Sequence, residues 1–143
     1  MDNIPVRVEN SIKLRVRYAE TDKMGVVYHS NYLVYCEVAR VELMRSCGLP
    51  YLEFEKEGYM MPLVESHVNY YSSAYFDDEL KILATLSFEL KPTTRIEYNI
   101  SRNDTTIATG YTVHSFMHAV TRKAVRPPKS FIDSIIRTSR NYK

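Results

Sequence analysis

Apolar and polar residues alternate along residues 11–20, which is the pattern of a strand with one buried face. The predicted buried face consists of Ile12, Leu14, Val16 and Tyr18. Residues 22–29 follow neither the strand period nor the helix period and contain Gly25, so we predict a loop there.

Apolar residues in the next segment, residues 31–47, recur every three or four positions, which is the period of an α-helix. Ser30 and Asn31 mark its start, and Gly48 stands where a C-terminal cap is expected. The apolar positions are Tyr32, Cys36, Ala39, Leu43 and Cys47, widened by Leu33, Tyr35, Val38, Val41 and Met44. Because the polar strip is narrow, we expect this helix to be covered on most sides. A short second helix is predicted over residues 50–56, with Pro50 near its first turn.

The rest of the chain returns to the strand period. Alternation predicts strands over residues 60–72, 79–90, 94–102 and 105–119. Asn103 and Asp104 form a plausible hairpin turn, since both residue types tolerate left-handed backbone angles. A last short helix is predicted over residues 128–138.

The order of these elements predicts one α+β domain over residues 1–143, with a long central helix wrapped by an antiparallel sheet of about five strands. A strongly curved sheet accommodates strands of ten or more residues, which are longer than average. Hydrophobic residues make up 45% and charged residues 25% of the chain, as in ordinary globular proteins.

Several classes of function are disfavoured by charge and hydropathy. The net charge is +2 and no long run of Lys and Arg occurs, so nothing indicates a nucleic-acid partner. No apolar run approaches the roughly 20 residues of a transmembrane segment, and residues 1–5 do not resemble a signal peptide. Peripheral contact with a membrane stays open.

Cys36 and Cys47 are separated by roughly 16 Å of helix, which is too far for a disulfide, so we expect reduced thiols and a cytoplasmic protein.

Candidate chemistry is concentrated just before the long helix. Asp22 precedes the helix start at Ser30 by a few residues. A helix N-terminus carries unpaired N–H groups and about half a positive charge, so it can stabilise a developing oxyanion. A carboxylate on the other side of the same carbonyl would suit the hydrolysis of an acyl bond. Taken alone, however, an aspartate at this place is more often a turn or cap residue.

Longer strings surround this aspartate. They are Glu20-Thr21-Asp22, Met24-Gly25-Val26-Val27-Tyr28-His29, Asn31-Tyr32, Glu37-Val38-Ala39-Arg40, Pro62-Leu63-Val64-Glu65 and Asp77-Asp78-Glu79-Leu80. Together they resemble the acyl-CoA thioesterases of the hotdog fold. The similarity is greatest to the branch that contains 4-hydroxybenzoyl-CoA thioesterase and the thioesterase encoded beside the bacterial Tol-Pal genes. It spans roughly residues 11–135, in the element order predicted above.

The resemblance implies a hotdog fold, an acyl-CoA substrate and active sites at an interface between subunits joined edge to edge as a homodimer or homotetramer. It implies that Asp22 is the catalytic carboxylate, acting as general base or as nucleophile. It also implies that the backbone N–H of His29 polarises the thioester carbonyl. No metal or cofactor is implied.

Other residues of these strings have two interpretations each. The His29 side chain either orients substrate or water, or caps the helix start. Gly25 either permits a positive φ or close approach of the thioester, or is an ordinary loop glycine, and we assign it with Tyr28 to substrate binding. Glu20 and Thr21 are expected to shape the loop.

Two sets of basic residues are candidates for contact with coenzyme A. Lys91 lies near a position that grips the nucleotide end in some relatives, although its neighbours depart from that pattern. A cluster near the C-terminus either is a solvated chain end or contacts the phosphates. This cluster consists of Arg122, Lys123, Arg126 and Lys129.

Alternative functions find less support in the residues. His114 and His118 are about 13 Å apart along one strand and His67 has no local partner, so no metal site is predicted. The chain has no Gly-x-Ser-x-Gly elbow of a serine hydrolase and no His-Phe-Pro-Gly string of a hotdog dehydratase. A non-catalytic acyl-binding protein, or a Tol-Pal- or lipid-associated interaction protein, would keep the fold without needing Asp22.

Overall fold

The structure, a computed structural model, describes residues 6–140. The strands are β1 (Val6–Arg15), β2 (Tyr59–Met60), β3 (Leu63–Tyr70), β4 (Glu79–Phe88), β5 (Thr93–Arg102), β6 (Thr105–Ser115) and β7 (Met117–His118). The helices are α1 (Asn31–Ser46), α2 (Tyr51–Lys56) and α3 (Lys129–Arg140), with a single 3₁₀ turn at Tyr18–Glu20.

Five strands form one antiparallel sheet in the order β1-β4-β5-β6-β3, and the two short strands β2 and β7 pair separately. The register aligns Ile12 with Ile82 and Ile82 with Ile100, so alternate residues of three neighbouring strands face the same side. Leu80, Ile82, Ala84 and Leu86 of β4 are buried there, and α1 packs against β1 and β4. The predicted α+β architecture is confirmed, because the alternation that buries these residues fixes both the strands and their inner face.

The connection between β5 and β6 is the predicted hairpin turn. Asn103 and Asp104 have φ angles of 47° and 66°, the left-handed values that a tight two-residue hairpin requires.

The last helix also agrees with its prediction, and Phe131 at its first turn packs against Phe54 and Phe116.

Helix α1 has the predicted bounds but not the predicted coverage. Tyr35, Cys36 and Ala39 are buried against the sheet. Val34 and Val38 are 47% and 44% exposed, so a second apolar stripe of α1 faces outward in the single chain. The expectation that most sides would be covered is therefore wrong for the single chain.

Several predicted strands have different bounds, and the strand predicted over residues 105–119 is divided into β6 and β7. The strand predicted over residues 11–20 runs instead from Val6 to Arg15, and Tyr18, expected to be buried, is 77% exposed on the 3₁₀ turn. The single strand predicted over residues 60–72 is broken at Pro62, which has no N–H for a sheet ladder. Leu90, predicted in phase with β4, lies beyond its end and is 77% exposed.

Strand β3 forms one edge of the sheet and is almost wholly exposed. Its other edge pairs with no strand among residues 6–140, and Leu63 and Val64 at its start are each 55% exposed. An apolar strand edge of this kind is a template for pairing with another chain. Within residues 6–140, no helix has the length and apolar composition needed to span a membrane.

Candidate active site

Residues 20–28 fold back on themselves as a small hairpin, which we call the Asp22 hairpin. Thr21 bridges Val27 in antiparallel fashion, and the Asp22 amide donates to the Val26 carbonyl at 2.9 Å. The Tyr28 amide donates to the Glu20 carbonyl at 2.9 Å, closing the base of the hairpin. Asp22 therefore lies near the tip, and the chain leaves the base directly into α1.

The Asp22 carboxylate uses one oxygen to hold the tip. Its Oδ1 accepts hydrogen bonds from the amides of Met24, at 2.8 Å, and Val26, at 3.4 Å. No group among residues 6–140 donates to the second oxygen, Oδ2, and the side chain is half-buried. Asp22 can therefore stabilise the turn through Oδ1 and still offer a free carboxylate oxygen, Oδ2.

Gly25 completes the tip with a φ of 78°. Most side chains are strained in this region, so the conformation favours glycine. A Cβ built on Gly25 would meet no atom within 4 Å. The positive φ expected of this glycine is therefore confirmed, and close approach of the thioester stays a prediction.

The start of α1 leaves two successive backbone donors, the amides of His29 and Ser30, without an acceptor among residues 6–140. The amides of Asn31 and Tyr32 donate to the carbonyls of Tyr28 and His29, at 2.9 and 3.3 Å. The His29 amide has no acceptor among residues 6–140, and the Ser30 side chain makes no cap hydrogen bond. An unpaired N–H at a helix N-terminus is a donor for an anionic oxygen.

The His29 side chain is exposed and lies against the Tyr28 ring, with 4.3 Å between ring centroids. The ring makes no hydrogen bond to the helix start within the described chain, so the capping interpretation of this side chain gains no support. The His29 carbonyl accepts a long hydrogen bond, 3.4 Å, from the Tyr70 hydroxyl.

Glu20 fastens the base of the hairpin to α1. Its Oε1 accepts from the Arg17 amide at 2.8 Å and from the Tyr35 hydroxyl at 2.9 Å, and the Glu20 carbonyl accepts from Asn31 Nδ2 at 3.0 Å. Burial by itself would raise the Glu20 pKa, but the hydrogen bonds from Arg17 and Tyr35 outweigh it, so the pKa is lowered and the carboxylate stays ionised. With Thr21, whose hydroxyl donates to the Tyr18 carbonyl at 2.7 Å, Glu20 shapes the loop as predicted.

The outer strand of the hairpin is backed by a segment that the sequence did not indicate, residues 73–78, called here the 73–78 loop. The Val27 amide donates to the Ala74 carbonyl at 2.8 Å, and Val26 bridges Tyr75. The only sequence signal was the Asp77-Asp78 string, which gives no hint of this contact.

Three cavities formed by residues 6–140 lie away from Asp22. Two of them, about 480 and 310 Å³, share Thr85, Arg95 and Glu97 on the outer face of the sheet. A third, about 130 Å³, lies between α1 and α2 and includes Arg40 and Tyr51. None of these three is lined by Asp22 or His29.

The structure does not bring the basic candidates to Asp22 within one subunit. Lys91 forms an ion pair with Glu89 at 2.6 Å and lines the 310 Å³ cavity. Lys91 comes after the C-terminal end of β4, and the ten residues of β4 place that end roughly 30 Å from the end that is nearest the hairpin. The cluster of Arg122, Lys123, Arg126 and Lys129 precedes or begins α3, which packs at the opposite end of α1 from His29.

His114 and the two cysteines are core residues and lie outside the candidate site. His114 is buried and bonds to Thr112 and the Met61 carbonyl, and burial with the nearby Arg40 charge lowers its pKa to about 4. No group of three or more potential metal ligands is found among residues 6–140. Cys36 and Cys47 are unpaired and buried, and burial raises the pKa of Cys36 to about 12.

With this geometry defined, the chain can be compared with known proteins. Residues 16–135 match the sequence model of the thioesterase-like superfamily, which is most of the chain. The chain belongs to the thioesterase-like superfamily. Membership agrees with the sheet order around α1, and the predicted hotdog fold is confirmed.

Individual relatives agree with the superfamily assignment. A putative esterase from Aquifex aeolicus is 31% identical over 119 residues, covering 83% of this chain and 91% of that protein. The putative acyl-CoA thioesterase YneP of Bacillus subtilis is 42% identical over 66 residues, covering 46% of this chain and only 48% of YneP. The solved DHNA-CoA thioesterase from Staphylococcus aureus has a TM-score of 0.82 and 31% identity, covering 87% of this chain and 85% of that chain.

Proposed function

We propose that the protein is an acyl-CoA thioesterase, which hydrolyses a thioester to a carboxylic acid and free coenzyme A. The observation that carries the proposal is the unpaired His29 amide at the start of α1, joined through one hairpin to the free Oδ2 of Asp22. The two groups supply a donor for an oxyanion and a base for water.

The comparisons support this chemistry at the level of the family. The superfamily is thioesterase-like, and relatives named as acyl-CoA thioesterase and DHNA-CoA thioesterase share sequence or fold with the chain. The string from Glu20 to Tyr32 supports the finer placement beside 4-hydroxybenzoyl-CoA thioesterase and the Tol-Pal-associated enzyme. The two buried, unpaired thiols agree with the proposed cytoplasmic location.

In the general-base route, Asp22 Oδ2 takes a proton from water while the water oxygen attacks the acyl carbon. The carbonyl electrons move onto oxygen, where the His29 N–H and the helix dipole stabilise the charge. When the C=O bond re-forms, the thiolate of coenzyme A leaves and takes up the proton. In the nucleophilic route, Asp22 itself displaces the thiolate and water then opens the acyl anhydride.

A second subunit would complete the site. In the single chain Asp22 lines none of the three cavities, while the β3 edge and the Val34–Val38 stripe of α1 remain uncovered. Tyr70 and Tyr75, close to the hairpin, are also about half exposed, at 51% and 49%. We propose a homodimer, alone or within a homotetramer, that joins sheets along β3 and forms the acyl site between subunits. Gly25 and Tyr28 would then face the substrate, and Lys91 could serve only from a neighbouring subunit.

The test is release of free thiol from short, long and aromatic acyl-CoAs by the wild type and by Asp22→Asn. Asparagine keeps an Oδ1 acceptor for the Met24 and Val26 amides, so the hairpin should survive. We expect turnover to fall by at least about 10²-fold, which is the ordinary contribution of a general base. Asp104→Asn, at an exposed turn, is the matched control and should leave turnover unchanged.

Equal turnover by wild type and Asp22→Asn would reject the role of Asp22. No wild-type turnover across the panel would reject the enzymatic proposal, and retained acyl-CoA binding would then favour the non-catalytic alternative.

A further inference from the structure

The ion pair between Arg102 and Asp78 lies behind the Asp22 hairpin and is more protected than an ordinary surface pair. Arg102 Nη1 is 2.6 Å from Asp78 Oδ2, and the two side chains are only 27% and 24% exposed. The same nitrogen donates to the Ser73 carbonyl at 3.1 Å. Partial burial strengthens such a pair and makes the loss of one partner costly.

Asp78 also contacts the backbone of the 73–78 loop. Its Oδ2 also accepts from the Tyr75 amide at 2.8 Å, so one carboxylate oxygen joins Arg102 to the loop interior. Arg102, at the last position of β5, therefore clamps both ends of a loop that is distant in sequence.

The clamped loop in turn supports the candidate site. Ala74, which is fully buried, accepts from the Val27 amide at 2.8 Å, and Tyr75 bridges Val26. The backbone of Ala74 also lies beside the Tyr32 side chain in the first turn of α1. The loop thus contacts both the strand that leads from Asp22 to His29 and the helix whose N-terminus presents the His29 amide.

From this chain of contacts we infer that Arg102 and Asp78 are positioning residues for the thioesterase site. The pair fixes the 73–78 loop, and the loop fixes the spacing between the Asp22 carboxylate and the His29 amide. Neither residue touches the reacting atoms. The inference rests on the proposed function, but part of its test does not depend on activity.

The first measurement is steady-state hydrolysis of the acyl-CoA that the wild type turns over fastest. Arg102→Met should lower kcat by about 10- to 100-fold with KM within about threefold, because a displacement of roughly 1 Å at a reacting group has effects of this size. Arg102→Lys keeps a cation that can reach Asp78 and Ser73, and should recover most of the kcat. The matched control is Arg95→Met, on the same strand, whose exposed pair with Glu97 lies on the outer face. It should keep kcat within about twofold.

The second measurement is amide hydrogen exchange. Arg102→Met should speed exchange of the Val27 amide by at least about tenfold, because its acceptor lies in the released loop, while β4 amides stay protected. If Arg102→Met does not fold, Asp78→Asn carries the same two measurements, with an expected kcat loss of about fivefold or more.

The inference fails if folded Arg102→Met keeps wild-type kcat or wild-type Val27 exchange, or if Arg95→Met loses as much kcat. A wild type without thioesterase activity would reject the proposed function instead, and the exchange result would still decide whether the clamp exists.

Discussion

The Tyr35 hydroxyl donates a hydrogen bond of 2.9 Å to Glu20 Oε1, across fifteen residues of sequence. This contact joins the interior of α1 to the base of the Asp22 hairpin, and it lies in a buried environment. Burial is the main reason why the Tyr35 pKa lies well above its usual value, and the hydrogen bond and charge of Glu20 raise this pKa further. The tyrosine therefore remains a hydrogen-bond donor at every pH of interest.

Replacing Tyr35 by phenylalanine should destabilise the protein by about 1–3 kcal/mol, since buried Glu20 loses one of its donors. Urea titration measures the free energy of unfolding. Thiol release should also show a lower kcat, because the Asp22 hairpin is held less firmly. Tyr51→Phe is the control, because the Tyr51 hydroxyl has no hydrogen-bond partner in residues 6–140. Equal stability of the Tyr35→Phe variant and the wild type would contradict the anchoring role.

The role of the His29 amide can be separated from that of its side chain. His29→Ala keeps the N–H and should retain activity within about tenfold, whereas His29→Pro removes the donor and should lose about 10²- to 10³-fold in kcat. Circular dichroism and thermal unfolding must show that the proline variant is folded. Comparable losses in both variants would assign the function to the imidazole.

The tip of the hairpin should tolerate only residues that accept left-handed angles. Gly25→Ala should cost about 1 kcal/mol because of its φ of 78°, and Gly25→Asn should cost less. The free space around Gly25 means that strain, and not a clash, causes the loss. Urea titrations of both variants decide the point, and identical stabilities would mean that the turn is not maintained in solution.

Stability should fall in mild acid because of His114. Its folded pKa of about 4 is below the ordinary 6.5, so the unfolded chain binds the extra proton between these values. The His114 contribution is complete above pH 6.5 and is lost as pH falls towards 4, by about 3 kcal/mol in total. Urea unfolding at several pH values should show this slope, and His114→Gln should flatten it. The same slope in both proteins would exclude His114 as its source.

Charges introduced at the β3 edge should disrupt assembly. Lysines at Leu63 and Val64, each 55% exposed, would place like charges where two sheets are proposed to join. Sedimentation should show smaller particles for this double variant, with reduced turnover. Leu52→Lys, on exposed α2, is the control and should leave both unchanged. An unaltered oligomer would move the interface elsewhere.

Elements with a sustained period could be predicted from the sequence. Helix α1 and strands β4 and β5 each repeat one pattern over at least ten residues, and tertiary packing does not alter it. The break at Pro62 was missed because apolar residues continue on both sides of it. The turn at Tyr18–Glu20 was missed because the Glu20 carboxylate, and not the hydrophobic pattern, determines it.

The candidate site was predictable only in part. The Asp22 string and the helix start identify two groups, since both lie within ten residues of each other. Their supports, Tyr35 and Arg102, come from α1 and from β5, and their contacts depend on how the chain folds. No local pattern marks such pairs, because the partners are 15 and 24 residues apart.

The buried state of Cys36 and Cys47 has a practical consequence for spectroscopy. Thiols that stay protonated and enclosed react slowly with maleimides and methanethiosulfonates while the fold is intact. A cysteine introduced at exposed Asp133 on α3 would therefore take up a fluorophore or spin label almost alone. Native protein could be tagged at one site without removing either natural thiol, and distances between tags would then report how its copies are arranged.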